Sequence, residues 1–322
     1  MIPAFNAGRT LHETLMSARN QTYADLEIIV VDDGSTDDAA AIATRHAADD
    51  PRVSLIHQSN AGVAAARNAG VAAASGEFVA LLDADDLWAS TKIERQLAVF
   101  ATSDPRVALV YTWFALIDAR SRVIKLGPRI THEGDVLDAL AYYNFIGNGS
   151  APLVRRTAIE EVGGFDATLR ARGGQGCEDW KLYFEIAERH HFALVPEPLT
   201  GYRHTSDNMS SDGLQMLRSR DLCIADLLPR HPELEHRFRE GRNRLSRALF
   251  HRSIGRGRIG EIASLAAAIG RYDPVFLMRI LGKLPATTLT ALWARHAPGG
   301  RSENPHTTGF PDSDAASFQR TP

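Results

Sequence analysis

The sequence is poor in cysteine, in aromatic residues and in charge of one sign. Two cysteines, Cys177 and Cys223, occur among 322 residues, so neither a disulfide framework nor a C-x-x-C pair for zinc or redox work can be assembled. Scarce cysteine fits a reducing compartment. Lys+Arg 36 against Asp+Glu 39 leaves a formal net charge of −3. That balance argues against a surface devoted to nucleic acid, and no nucleic-acid partner is expected. A basic-then-apolar leader is not seen. The most apolar C-terminal stretch, Val275 to Trp293, is interrupted by Arg279, Lys283 and Pro285, which does not read as a membrane span. A cytoplasmic protein is the expectation. With 44% hydrophobic and 23% charged residues, the chain is neither disordered nor fibrous, and it is long enough for one large domain with an appendage or for two domains.

The even balance hides an asymmetry. Residues 1–214 carry a net charge of −10, residues 215–296 of +8 and residues 297–322 of −1. In the acidic part, short apolar runs alternate with helical patterns. Leu26 to Val31 reads as a buried strand ending in Asp32-Asp33-Gly34-Ser35, with Ser35 or Thr36 capping a helix to about Ala48. Val53 to His57 and Phe78 to Leu82 read as further strands. Helices are expected over 63–74 and from about Ser90 to Thr102. This rhythm implies parallel strands covered on both faces, with a ligand site at their carboxyl ends.

From residue 107 the pattern changes to a hairpin (Val107 to Ile117 with Ser121 to Ile124), a helix over 133–143 and a short strand at Ala151 to Arg155. A helix over Glu178 to His190 follows, then two short strands within 192–203 broken at Pro196 and Pro198. Residues 213–296 are helical in period, with breaks near Pro229, Gly255–Gly260, Asp273-Pro274 and Pro285. Residues 297–322, rich in Pro, Gly, Ser and Thr, are expected to be disordered. A strand is also expected before Pro3-Ala4-Phe5-Asn6, where only Met1 and Ile2 precede; the natural start is therefore expected upstream.

Four constellations carry chemistry. In Asp83-Ala84-Asp85, alternation along an extended segment points both carboxylates one way, and two hard oxygen donors suit Mg²⁺ or Mn²⁺. The triplet alone proves little, since Asp312-Ser313-Asp314 repeats it with no strand before it. A carboxylate in Asp32-Asp33-Gly34-Ser35 can accept from a nucleobase imide or a ribose, and an ordinary turn with capping acids fits as well. Arg67, on the helix after Asn60-Ala61-Gly62, can reach a phosphate or simply face solvent. In Cys177-Glu178-Asp179-Trp180, two acids suit a helix start whatever the function. Functionally, Asp179 is a candidate general base with an ordinary carboxylate pKa of ~4. Cys177 reads as a small filler.

Taken in order, Pro3-Ala4-Phe5-Asn6, Gln21-Thr22, Glu27 to Asp37 (EIIVVDDGSTD), Asn60-x-Gly62, Ala66-Arg67-Asn68-x-Gly70, Gly76-Glu77-Phe78 and Leu81 to Trp88 (LLDADDLW) resemble the inverting family 2 glycosyltransferases of GT-A fold. Gly163-Gly164-Phe165-Asp166, Glu178-Asp179-Trp180 and Tyr202-Arg203-His204 extend the resemblance over about residues 1–210. It implies a mixed, mainly parallel α/β sheet with helices on both faces, over residues 1–212. The donor half would span about 1–105 and the acceptor half about 106–212, followed by a basic helical region, 213–296.

The resemblance further implies that Pro3, Phe5 and Asp33 line a nucleobase pocket, Asp33 facing the uracil imide of a UDP-sugar. Arg67 would lie near the donor nucleotide, Asp83 at the ribose or metal shell, and Asp85 on Mg²⁺ or Mn²⁺ bridging the diphosphate. Asp179 would deprotonate the acceptor hydroxyl, and His204 would approach the metal or diphosphate. Asn148 in Asn144 to Ser150, with Glu178 and Trp180, are candidates for the acceptor side. The reaction implied is transfer of a sugar from a nucleotide-diphospho-sugar to a glycan or lipid-linked acceptor in cell-surface polysaccharide synthesis. A departing diphosphate gathers negative charge that a divalent ion and an arginine stabilise.

The Gly-rich segment 170–176 is expected to be a mobile loop closing over the donor. Arg237, Arg239, Arg242, Arg244 and Arg247 cluster on one predicted helix. They either dock on the acidic part or touch an anionic inner leaflet, as a peripheral contact through 215–296. Two other functions share the acidic strand ends. A sugar-nucleotide pyrophosphorylase calls for a Gly-rich basic N-terminal loop, where Pro3 to Thr10 offers Gly8 and Arg9. A non-catalytic nucleotide-sugar-binding domain need not keep Asp33, Asp85 and Asp179 together.

Overall fold

The computed structural model describes residues 1–205, 211–283 and the pair Thr308–Gly309. Its first third alternates strand and helix: β1 (Ile2–Ala4), α1 (Leu11–Arg19), β2 (Ile28–Asp32), α2 (Ala39–Asp49), β3 (Val53–His57), α3 (Val63–Ala73) and β4 (Phe78–Ala80). β1, β2 and β3 pair in parallel, in that order. Met1 N donates to Ala80 O at 2.8 Å and Leu82 N to Met1 O at 3.1 Å, the pattern of a parallel bridge, so the β4 segment lies beside β1. Every residue of β1 and β2 is buried, as parallel strands covered on both faces require.

α2 starts three residues later than a Ser35 cap would give and two later than a Thr36 cap. Ser35 Oγ instead accepts from Asn6 N, Thr36 N donates to Asn6 Oδ1, and Asp37 Oδ2 accepts from Gly8 N. These residues tie the loop after β1 to the loop after β2, and the helix begins only once that is done.

The second third is mixed. It runs β5 (Leu87–Trp88), α4 (Lys92–Thr102), β6 (Val107–Ile117), β7 (Arg122–Leu126), α5 (Leu137–Tyr142), β8 (Leu153–Arg155), α6 (Arg156–Glu161), α7 (Thr168–Ala171), α8 (Glu178–Ala187) and β9 (His191–Arg203). β8 bridges β4 and β6 antiparallel to both, and β6 and β7 form the expected hairpin. β9 is one strand of 13 residues parallel to β6, not two. The register jumps from Val195–Thr112 to Pro198–Trp113. This irregularity absorbs both prolines, which cannot donate to the ladder, without ending the strand.

Among the described residues four α-helices follow: α9 (Gly213–Leu227), α10 (Glu235–Arg256), α11 (Ile259–Tyr272) and α12 (Pro274–Leu281). Gly257, left-handed at φ 69°, ends α10, and Asp273 caps α12 by accepting from Phe276 N. Cys223, Ile224 and Leu227 of α9 and Phe238 of α10 join the same core as Trp180 and Phe184 of α8. Of the five clustered arginines, Arg237 pairs with Asp138, Arg242 forks onto Asp221, and Arg244 lies 4.3 Å over the Tyr143 ring. Those three face the protein. Gly241 makes the approach of α10 possible, since a Cβ there would fall 1.8 Å from the Tyr142 carbonyl oxygen.

Among the described residues, no helix is long and apolar enough to cross a membrane. The break at Pro285 and the tail 297–322 lie outside the described residues, except that β10 (Thr308–Gly309) pairs antiparallel with β7.

Candidate active site

The loops at the carboxyl ends of β1, β2 and β4 open onto one cavity of about 830 Å³, and Asp33, Asp85 and Asp179 all line it. Pro3 of β1 and Phe5, directly after the strand, are both in the wall. The Phe5 ring is 53% exposed, which leaves an aromatic face free for a flat partner.

Asp33, directly after β2, is buried and already engaged. Its Oδ1 accepts from Gln58 Nε2 (2.7 Å) and Ala61 N (2.8 Å), and its Oδ2 from Gly62 N (2.8 Å). The carboxylate therefore folds the 58–62 loop over the start of α3 and keeps acceptor capacity on Oδ2. Gly62, at φ 93°, adopts a backbone that a side chain would strain.

α3 delivers Arg67 into the cavity, 5% exposed. Its Nη2 donates to Asp83 Oδ1 at 2.6 Å, its guanidinium lies 5.3 Å from the centre of the Phe165 ring, and its Nε has no partner among the described residues. The charges of Asp83 and Asp179 hold it firmly protonated. Gly149 closes over this pair: a Cβ would meet Arg67 Nη2 at 2.7 Å and Asp83 Oδ2 at 2.9 Å.

Asp83 and Asp85 face the cavity from a turn, not from an extended strand. β4 ends at Ala80 and Asp86 N donates to Asp83 O at 3.0 Å, so the shared direction of the two carboxylates comes from the turn and not from strand alternation. The turn is held from beneath. Asp86, fully buried, accepts from Ser150 Oγ (2.6 Å) and Arg203 N (2.8 Å), while Ser150 Oγ accepts from Asp83 N (2.9 Å). Arg203 Nε donates to the Asp85 carbonyl at 2.6 Å. Arg203, 118 residues from Asp85, is a positioning residue that only the fold reveals.

Burial, with the Asp83 charge added, pushes Asp85 up to about 6, and the same causes raise Asp86. Two carboxylates that repel one another in a half-dry wall are an arrangement that a hard divalent cation relieves. Asp83 and Asp85 thus fit Mg²⁺ or Mn²⁺, leaving coordination positions for water and phosphate oxygens. Among the described residues, no third His, Cys, Asp or Glu completes a cluster with them. His204 does not line the cavity, although Tyr202 and Thr205 on either side of it do, and burial and the charges of Arg256 and Arg252 lower its pKa.

α8 supplies the opposite wall. Asp179 Oδ1 accepts from Trp180 N (2.7 Å) and Oδ2 from Asn144 Nδ2 (3.1 Å). Its pKa is not the ordinary value expected from sequence. Burial raises it to about 6, with Arg67 pulling the other way. Glu178 is turned back to accept from Gly176 N. Trp180 is core: its indole N–H donates to Leu140 O at 2.8 Å. Asn148 is buried in the wall, with Nδ2 unpartnered among the described residues.

Cys177 is buried and its thiol is pushed up to about 12, so it is a filler and no nucleophile. The segment 170–176 is tethered, by Arg170 Nη1 to Asn60 Oδ1 (2.6 Å) and by the fork of Arg172 on Asp226 of α9. Sequence reasoning also missed the cavity's far lobe, where α9 and α10 contribute Arg220 and Arg244.

A family model described as Glycosyl transferase family 2 matches residues 1–163. An uncharacterized glycosyltransferase of Rickettsia typhi is 29% identical over 189 residues, 58% of this chain and 57% of that protein. The chain thus spans little more than half the length of that relative. Two solved structures share the fold. One is a mannosyltransferase from Pyrobaculum calidifontis in complex with GDP-Man and Mn2+, at TM-score 0.55 and 21% identity, covering 92% of this chain and 79% of that one. The other is S. aureus TarS 1-349 in complex with UDP-GlcNAc, at TM-score 0.57 and 15% identity, covering 90% and 80%.

Proposed function

The chain belongs to glycosyl transferase family 2, and from that premise we propose that it moves a sugar from a nucleotide-diphospho-sugar, a UDP-sugar in the first instance, to a hydroxyl of a glycan or lipid-linked acceptor in cell-surface polysaccharide synthesis, with inversion at the anomeric carbon. One observation carries the reading: Asp33, Asp85 and Asp179 line a single cavity with Arg67 among them. Phe5 offers its exposed face to the nucleobase, and Asp33 accepts the imide N–H on Oδ2. Asp83 and Asp85 would hold Mg²⁺ or Mn²⁺, a use supported by the Mn2+ of the Pyrobaculum enzyme. When bound, that ion supplies positive charge to the departing diphosphate.

Asp179 takes the proton of the acceptor hydroxyl as its oxygen forms a bond to the anomeric carbon. The bond from that carbon to the phosphate oxygen breaks, and its electron pair leaves with the diphosphate. Arg67 lies close enough to Asp83 and Asp179 to balance both carboxylates and to stabilise the charge that develops. A carboxylate of pKa about 6 is ionised at neutral pH and is a stronger base than an ordinary aspartate.

The test is release of nucleoside diphosphate with Mn²⁺ across UDP- and GDP-sugars, ranked first by thermal shift. Release from one donor class, abolished by Asp179→Asn and by Asp85→Asn, is expected. Donor binding without turnover, whatever the acceptor, would leave a non-catalytic binding domain. Formation of nucleoside triphosphate from pyrophosphate would make it a pyrophosphorylase.

We also infer a peripheral contact between residues 215–296 and an anionic bilayer. Supporting it are the exposed Arg239 and Arg247 of α10 and, on α12, Val275 and Met278, 60% and 67% exposed beside exposed Arg279.

A further inference from the structure

Beyond Asp179 the cavity continues into a lobe walled by α9 and α10, for which the donor reading has no use. Two arginines line it, Arg220 and Arg244. Arg220 is 4% exposed, with its guanidinium 4.1 Å from the centre of the Trp180 ring. Its Nη2 donates to the carbonyls of Ala141 (2.9 Å) and Tyr142 (3.0 Å), which terminate α5. Nε has no hydrogen-bond partner and no carboxylate pairs with the group among the described residues. Burial pulls its pKa down to about 10, more than the charge of Asp221, which is itself forked by Arg242, can offset.

Arg244 sits one helix away, exposed, over Tyr143, and it too has no acidic partner among the described residues. Its neighbours on α10 differ. Arg237 and Arg242 are each paired with an aspartate that faces them. A buried cation is costly when unpaired; among the described residues Arg220 is buried with no ion pair, and the exposed Arg244 adds a second guanidinium with no acidic partner to the same wall, so the wall marks a place for an anion.

We propose that this lobe binds an anionic group, carboxylate or phosphate, carried by the acceptor. Assigning the anion to the acceptor rests on the transferase reading; the anion site itself does not. In an in-line displacement the leaving diphosphate and the attacking hydroxyl lie on opposite faces of the anomeric carbon. Asp179 marks the attacking side, and the next residue, Trp180, carries Arg220 on its ring. An acceptor whose hydroxyl reaches Asp179 therefore extends past Arg220 towards Arg244. The planar guanidinium fork matches carboxylate and phosphate oxygens two at a time, which a lysine cannot do.

The experiment compares acceptors differing only in charge: a glucuronoside, the matching glucoside and its 6-phosphate. In the wild type kcat/KM for a charged acceptor exceeds the neutral one at least tenfold, through KM; which charged arm leads tells carboxylate from phosphate. Arg244→Gln brings the ratio close to one, Arg244→Lys restores part of it, and Arg220→Lys lowers it. A wild-type ratio near one, or variants that weaken charged and neutral acceptors equally, overturns the proposal. So does a preference that follows the charge of the donor sugar, UDP-glucuronate against UDP-glucose, with a neutral acceptor.

Calorimetric titration of a glucuronate disaccharide without donor separates the two claims. A Kd that rises about tenfold in Arg244→Gln, in a protein that turns over no donor, keeps the anion site and removes the transferase reading. Turnover with no charge preference and no such binding does the reverse.

Discussion

Arg67 donates through Nη2 to Asp83 Oδ1 at 2.6 Å, and both side chains lie under Gly149. The contact joins α3 to the turn after β4 and sets the spacing between the carboxylates on one wall and Asp179 on the other. Arg67 is therefore less a free hand for phosphate than a fixed charge between two acidic groups. It still lines the cavity, where a ligand can meet it.

Gly149 limits that arrangement. In Gly149→Ala the new methyl meets Arg67 Nη2 and Asp83 Oδ2 inside 3 Å, and Arg67, buried against Phe165, has little room to retreat. The pair must part by a few tenths of an ångström. A misplacement of that kind at a reacting centre costs on the order of 10–100-fold in rate. Steady-state turnover and circular dichroism together check it: kcat/KM falls while the folded signal stays.

Much of this site was legible because strand ends announce themselves. Apolar runs closing in Asp33 and in Asp83–Asp85 located two of its walls, and the helix start at Asp179 located the third. What stayed hidden depends on partners far away in sequence. The Asp83–Asp86 turn is set by Ser150 and Arg203, and no local pattern announces a residue 118 positions on. Two prolines suggested a broken strand at 192–203 because sequence cannot show an irregularity in a neighbouring ladder. The raised pKa of Asp179 follows from burial, and the role of Arg220 and Arg244 follows from α9 and α10 docking on α5 and α8. Neither can be read from spacing.

The pH dependence follows from Asp179. In the proposed role of base Asp179 must be deprotonated, so kcat/KM, which reports the free enzyme, is expected to rise with pH through about 6 and level off above it. Below pH 6 it falls tenfold per unit. Profiles from pH 5 to 8 at saturating Mn²⁺ measure this; a limb near 4 instead would mean that burial does not act on the carboxyl as described.

The same burial makes Asp179 a liability for stability. A carboxyl whose folded pKa is about 6, against ~3.9 in the unfolded chain, binds its proton more tightly when folded. Stability is therefore lost as pH rises from about 4 to about 6, and the loss persists above that window. Asp179→Asn removes the charge, and its Oδ1 can still accept from Trp180 N. The variant is expected to be inactive yet more stable at pH 8 by about 1–2 kcal/mol, a few degrees in Tm. The difference should vanish below pH 4. Thermal melts of both proteins at pH 8 and pH 4 decide it.

The basic helices make a separate prediction, which depends on which arginines are already spent. Arg237 and Arg242 are paired within the protein and Arg244 lies over Tyr143, so of the arginines on α10 and α12 the exposed Arg239, Arg247 and Arg279 are among those left to attract an anionic bilayer. Each is worth about 1 kcal/mol near a charged surface. Exposed Val275 and Met278 add apolar area beside them. Co-sedimentation with phosphatidylserine vesicles, but not with neutral ones, is expected at low salt and should weaken as salt rises. Replacing Arg239, Arg247 and Arg279 with Gln should weaken it markedly, whereas replacing Arg237, whose charge is already balanced by Asp138, should not. Binding that ignores both salt and lipid charge would leave the apolar face of α12 as the contact and the arginines without a part in it.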